Sequence, residues 1–165
     1  HERLTKAIDK YQKRKGKKDG RFTPSFHSDL FGKPKNKVSK EDYQDKIETL
    51  QLRMRELQFA LYERKIPLVL VYEGMDAAGK GGNIKRVRTY LDPTGYEVNA
   101  ISAPTDVELN HHYLWRFAKT MPKSGHIGIF DRSWYGRVLV ERVEGFASEQ
   151  EWMRAYDEIL SLIHI

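Results

Sequence analysis

Between Val69 and Gly82 the chain reads Val-Leu-Val-Tyr-Glu-Gly-Met-Asp-Ala-Ala-Gly-Lys-Gly-Gly, an apolar run that turns through glycines onto a lysine. Gly74, Ala77, Ala78, Gly79, Lys80, Gly81 and Gly82 carry the spacing Gly-x-x-x-x-Gly-Lys. In such a loop small residues let successive backbone N–H groups point inward at phosphate oxygens, and the lysine adds a point charge. The chemistry on offer is binding and transfer of phosphoryl groups, set against the plainer reading of a tight strand-to-helix turn. Two positions depart from the usual form. Gly81 stands where Ser or Thr would hold magnesium, and Asp76 puts a carboxylate inside an anion cradle.

A second constellation follows at His126-Ile127-Gly128-Ile129-Phe130-Asp131, a short apolar run ending in aspartate. On a parallel strand this carboxylate emerges at the carboxyl edge of the sheet, beside the phosphate loop, as a Walker B element does. Arg132 is next to it, and Arg137 reaches the same place if a helix begins near Ser133. The competing reading is an Asp–Arg surface pair. His111 and His112 are adjacent, so on a helix they point in different directions; surface or hydrogen-bonding roles are expected of them rather than metal ligation.

The elements that must position these groups are legible by periodicity. Ile66 to Tyr72 reads as a buried parallel strand and Gly79 to Leu91 as the helix after the loop, with its positive end at the phosphate site. Ser39, with Asp42 three residues on, starts a helix to about Lys65; Tyr43, Ile47, Leu50, Met54, Leu57 and Leu61 form one apolar stripe along it. That stripe is expected to cover one face of the central sheet, and a partner-facing role in a homo-oligomer stays open. Asp92-Pro93-Thr94-Gly95 is a turn, Tyr96 to Ile101 a second strand, and Thr105 with Glu108 the start of a helix carrying Trp115 and Phe117 as packing residues. Ser148 with Glu151 starts a last helix through about Ile159, with Trp152, Ala155, Tyr156 and Ile159 on one side.

The chain of 165 residues, 39% hydrophobic, can bury one sizeable core. Its net charge of +6 is unevenly spread: residues 1–38 hold twelve Lys and Arg against four Asp and Glu, whereas the remainder holds seventeen against nineteen. Residues 1–38 therefore read as a basic linker or the tail of a preceding element, with a polyanion-binding arm as the alternative. Nucleic acid is not the expected partner of the rest. No apolar run approaches the roughly 20 residues that span a bilayer, and cysteine is absent, so a cytoplasmic protein without disulfides is expected.

Taken together, Glu73 to Gly82, Ala103-Pro104-Thr105, Tyr113-Leu114-Trp115-Arg116 and Gly128 to Val143 closely resemble the polyphosphate kinase 2 family, over about Ser39 to Ile159. Within it, Gly136 to Phe146 is most similar to the second half of tandem-domain polyphosphate:AMP phosphotransferases. The resemblance implies a three-layer α/β/α P-loop kinase fold with a parallel sheet. It also implies transfer of a phosphoryl group between inorganic polyphosphate and a nucleotide, AMP to ADP favoured, with magnesium. By position, Lys80 and the loop amides hold phosphate, Asp76 is the loop acid, and Asp131, Arg132 and Arg137 complete the downstream cluster. A carboxylate in an anion cradle needs a bridging cation, so Asp76 and Asp131 are expected to position Mg2+ in place of the missing Ser or Thr ligand. Lys85, Arg86, Arg88 and Arg116 are candidates for a polyphosphate track, although solvated faces explain several of them equally well. Family members continue with a helical lid that is not present here. Leu160 to Ile165 departs from the family pattern and matches the translation of a transposon end used in library preparation, so residues 160–165 are expected to be non-native and the piece inactive by itself. An ATP-dependent kinase on the same loop and a polyanion-binding module built on residues 1–38 are the alternative functions.

Overall fold

The computed structural model describes residues 38–163. The basic segment 1–38 falls almost wholly outside them, as do the last two residues.

Helix α1 runs Lys40–Arg64. Ser39 caps it, its Oγ accepting from the Asp42 N–H at 3.0 Å, and Glu41 and Asp42 place negative charge at the positive end. It stops at Lys65, which takes a left-handed conformation (φ 55°) and returns its N–H to the last turn. The predicted apolar stripe is only half used. Ile47, Met54 and Leu61 are partly buried, whereas Tyr43, Leu50 and Leu57 are exposed. The most buried residues of this helix are instead Gln51 and Gln58. Gln51 Nε2 donates to the Arg86 carbonyl at 2.7 Å; Gln58 donates to the Asp92 carbonyl at 3.0 Å and accepts from the Asp92 N–H at 2.7 Å. The two carbonyls also accept from the Thr89 and Gly95 N–H groups at 3.4 and 3.0 Å, so the amide side chains supply a second donor to each carbonyl and the acceptor for the Asp92 N–H.

The sheet has three parallel strands in the order β1-β3-β2: β1 Leu68–Tyr72, β2 Tyr96–Ala100 and β3 Ile127–Asp131. Register places Tyr72 and Ala100 opposite Asp131, so the three strands end level at their carboxyl edge. Between β1 and β2 lies helix α2, Lys80–Arg88, followed by a single 3-10 turn at Pro93–Gly95. Central β3 is buried on both faces, and its alternation builds two cores. Ile127 and Ile129 face Ile84 of α2, Leu91 just after it, and Met54 and Leu61 of α1. Phe130 faces Phe117, Trp134 and Ile159 on the opposite side. Gly128 shares that second face, where a Cβ would come 2.9 Å from the Pro122 ring.

The second face is made of short pieces. Where one helix from Thr105 was expected, the chain forms α3, Asp106–Leu109, with the full capping box between Thr105 and Glu108, and then α4, Trp115–Ala118. After β3 come a 3-10 turn at Trp134–Arg137, α5 at Val140–Glu144 and α6 at Glu149–Ile163. Trp134 meets Phe117 and Phe130 edge to face, 5.8 and 5.6 Å from the two phenyl rings. Ile159 and Leu162 of α6 pack into this core. α6 extends past the expected end at Ile159 without interruption. With α1 and α2 on one side and α4, the 3-10 turn and α6 on the other, the described residues form a three-layer α/β/α arrangement.

Candidate active site

The carboxyl edge of the sheet is where β1 turns into α2. Gly74 (φ 153°), Ala77 (φ 61°) and Gly79 (φ 87°) carry the chain round, two of the three being glycine because an L side chain is strained there. Gly79 leaves α2 without a side-chain cap, and no acidic residue occupies its first turn. The amides at that end are thus available to an anion. A cleft of about 410 Å3 opens over the loop. The loop lines it with Asp76, Ala77, Ala78, Gly79, Lys80 and Gly81; Ala100, Ile101, Asp131 and Arg132 complete the walls from the other two strands.

Lys80 Nζ donates to the carbonyls of Gly74 and Met75 at 2.9 and 3.0 Å, folded over its own loop. Arg132 Nη2 donates to Asp76 Oδ1 at 2.6 Å, spanning the cleft between residues 56 positions apart. The Asp76 side chain is otherwise open, 90% exposed. Arg132 itself is held at φ 68°, which costs a non-glycine residue about 1–3 kcal/mol and persists only where surrounding bonds over-determine it. Its N–H donates to the Tyr72 carbonyl at 2.9 Å. Next to it Ser133, 4% exposed, donates to Glu73 Oε1 at 2.7 Å. On the loop's other side the Tyr72 hydroxyl donates to Asn83 Oδ1 at 2.9 Å.

Four of the five residues expected to do chemistry, Asp76, Lys80, Asp131 and Arg132, thus line one cleft. Arg137 does not. The turn after Ser133 begins where expected but is a 3-10 turn, with three residues per turn instead of 3.6, and this changes the direction of its last side chain. Arg137 lies over the Tyr113 ring at 4.5 Å and between Glu141 (3.2 Å) and Glu151 (3.8 Å). Burial, with the Glu158 carboxylate nearby, pushes the Tyr113 hydroxyl up, so the guanidinium stacks on a neutral ring. Arg116 is likewise turned away from the cleft lining: Nη2 donates to the Ser102 carbonyl at 3.0 Å and Nε sits 3.4 Å from Glu108. Lys85, Arg86 and Arg88 are exposed on α2 beyond the lining, and Gly74 and Gly82 also stand outside it. His111 Nδ1 lies 2.8 Å from the Val107 carbonyl and His112 Nε2 3.2 Å from Glu158, hydrogen-bonding roles as expected.

Among the described residues no group of three His, Cys, Asp or Glu could hold a metal. Two carboxylates, Asp76 and Asp131, on one cleft nevertheless fit magnesium, an ion that keeps several waters and needs only one or two carboxylates from the protein. Glu73 and Ser133 escaped the motif reading of the sequence. Both lie inside the two recognised motifs, but their bond joins residues 60 positions apart and only the parallel β1–β3 pairing reveals it.

Comparison with known proteins gives the same picture. The family model for polyphosphate kinase 2 matches residues 37–164. A polyphosphate:AMP phosphotransferase of Pseudomonas syringae is 53% identical over 122 residues, 74% of this chain and 24% of that protein. One from Acinetobacter johnsonii is 61% identical over 97 residues, 59% of this chain and 20% of that protein. The crystal structure of polyphosphate kinase 2 from Arthrobacter aurescens superposes with a TM-score of 0.70 at 38% identity, over 76% of this chain and 46% of that one. The chain spans a quarter or less of the length of the two phosphotransferases it matches. With its phosphate loop, its Asp131-Arg132 strand end and a family match over most of its length, the chain belongs to the polyphosphate kinase 2 family.

Proposed function

We propose that this chain is the phosphate-binding floor of a cytoplasmic enzyme that moves the terminal phosphoryl group of inorganic polyphosphate onto AMP, giving ADP, with magnesium. The observation that carries the reading is the convergence of Asp76, Lys80, Asp131 and Arg132 on one cleft at the carboxyl edge of a parallel sheet. AMP is favoured as acceptor because the similar proteins from Pseudomonas syringae and Acinetobacter johnsonii are polyphosphate:AMP phosphotransferases.

In the transfer an oxygen of the AMP phosphate attacks the terminal phosphorus of polyphosphate, the bridging P–O bond breaks, and a shortened polyphosphate leaves. Such a reaction asks the protein mainly for alignment and neutralisation of charge. The loop amides and Lys80 cradle one phosphate, Lys80 leaving the Gly74 and Met75 carbonyls to do so. Arg132 has the reach to hold a second phosphate across the cleft once Asp76 is otherwise engaged. Magnesium held by Asp76 and Asp131 supplies further positive charge to the phosphates when bound. Ala100 and Ile101 give the far wall an apolar border.

The decisive experiment supplies the full-length protein with AMP, magnesium and polyphosphate as sole donor, and separately with ATP as sole donor. ADP formed from polyphosphate supports the reading. ADP formed only with ATP would replace it with an ATP-dependent kinase on the same loop, and turnover with ADP or GDP but not AMP would move the acceptor.

A further inference from the structure

Arg132 has three properties that need a common cause: it follows directly on the last residue of β3, its backbone is in the left-handed region at φ 68°, and its guanidinium lands 2.6 Å from Asp76. A side chain of that length keeps one orientation only if the turn bearing it is fastened. Two bonds fasten it to the end of β1. One, Arg132 N–H to the Tyr72 carbonyl at 2.9 Å, is backbone to backbone and open to any sequence. The other, Ser133 Oγ to Glu73 Oε1 at 2.7 Å, needs these two side chains.

We propose that Glu73 and Ser133 are positioning residues for the transfer, a strap that ties the start of the phosphate loop to the turn after β3 and so aims Arg132 into the phosphate cleft. This inference rests on the phosphate-transfer reading above. The buried Ser133 hydroxyl works in both directions: it donates to Glu73 and accepts from the Tyr135 N–H at 3.3 Å, which opens the 3-10 turn. Immediately after it Trp134, 4% exposed, is seated among Phe117 and Phe130. Ser133 thus has a fixed base on its far side, and Glu73 transmits that fixity to the loop. Glu73 does not line the cleft, so its contribution passes through Arg132 and not through contact with substrate. What Glu73 must provide is an acceptor oxygen; a glutamine provides one too.

The experiment measures binding of tripolyphosphate with magnesium by titration calorimetry on the full-length protein, for the wild type, Glu73→Ala, Glu73→Gln, Arg132→Ala and the double variant Glu73→Ala with Arg132→Ala. Glu73→Ala is expected to weaken binding about three- to tenfold, the scale of one hydrogen bond, and Glu73→Gln to stay within about twofold of the wild type. In the Arg132→Ala background the Glu73→Ala change is expected to add nothing, since there is no longer a guanidinium to aim. A purely structural role would lower affinity in both backgrounds alike. The inference is overturned if Glu73→Ala binds like the wild type, if Glu73→Gln is as weak as Glu73→Ala, or if the loss repeats in full without Arg132. A wild-type protein that binds no tripolyphosphate would show itself before any variant is compared, and would remove the phosphate reading together with this one.

Discussion

The Lys80 ammonium holds the Gly74 and Met75 carbonyls and so braces the turn of its own loop. Replacing Lys80 by Ala in the full-length protein should lower the rate of phosphoryl transfer by ~10²–10³-fold, the scale for removal of one charge-stabilising donor, read from steady-state kinetics with polyphosphate as donor. Unchanged turnover would remove Lys80 from the chemistry. Gly79 tests the backbone. Nothing lies within 4 Å of where its Cβ would be, yet at φ 87° an alanine is strained. Gly79→Ala should therefore cost about 1–2 kcal/mol in denaturant unfolding although the space is open. At this scale the sequence was clear about what the motif letters say and silent about what crosses between motifs. Asp76, Lys80, Asp131 and Arg132 were readable from spacing; the Glu73–Ser133 bond was not. Arg137 was misplaced because one residue's direction depends on whether a turn has three or 3.6 residues.

Among the elements, α1 departs most from its pattern. Six apolar positions at steps of four and three predicted a helix covered along its length, and the helix is there, but the covered side is shifted toward Gln51 and Gln58. A polar side chain gives no hydrophobic signal even where it is the best-buried residue of its helix. Gln58→Leu should destabilise the protein by about 1–3 kcal/mol in urea unfolding, because it leaves the Asp92 N–H without its acceptor and the Asp92 carbonyl with the Gly95 N–H alone. The start of α6 gives a pH prediction. Glu151 accepts from both the Ser148 hydroxyl (2.7 Å) and its N–H (2.8 Å), and these bonds hold its carboxyl below the ordinary 4.5. A depressed folded value means that the stabilisation is present above pH 4.5 and is lost as pH falls through the lower folded value. Glu151→Gln should therefore flatten the loss of stability on acidification below about pH 4.5, followed by thermal melting across an acid series. A variant that acidifies as steeply as the wild type would exclude the cap as the cause.

For the whole molecule the deciding fact is the strand order β1-β3-β2. It puts Ile129, fully buried, in the middle of the sheet, while Leu57 on the outer side of α1 is 49% exposed. Ile129→Ala should cost about 2–5 kcal/mol and Leu57→Ala clearly less, although the sequence ranks both simply as apolar. Among the described residues no helix is long and apolar enough to cross a membrane. The sequence by itself determined the three strands, the long helix from Ser39 and the last helix, and the caps at Ser39 and Thr105, because periods and caps act over a few neighbouring residues. Only the tertiary structure decided that Arg132 reaches Asp76, that Asp131 lines the same cleft, that Ser133 is tied to Glu73, and that Arg137 is not of their company. Those outcomes depend on which strands lie side by side and in what register, and that is fixed by packing between residues far apart in the chain.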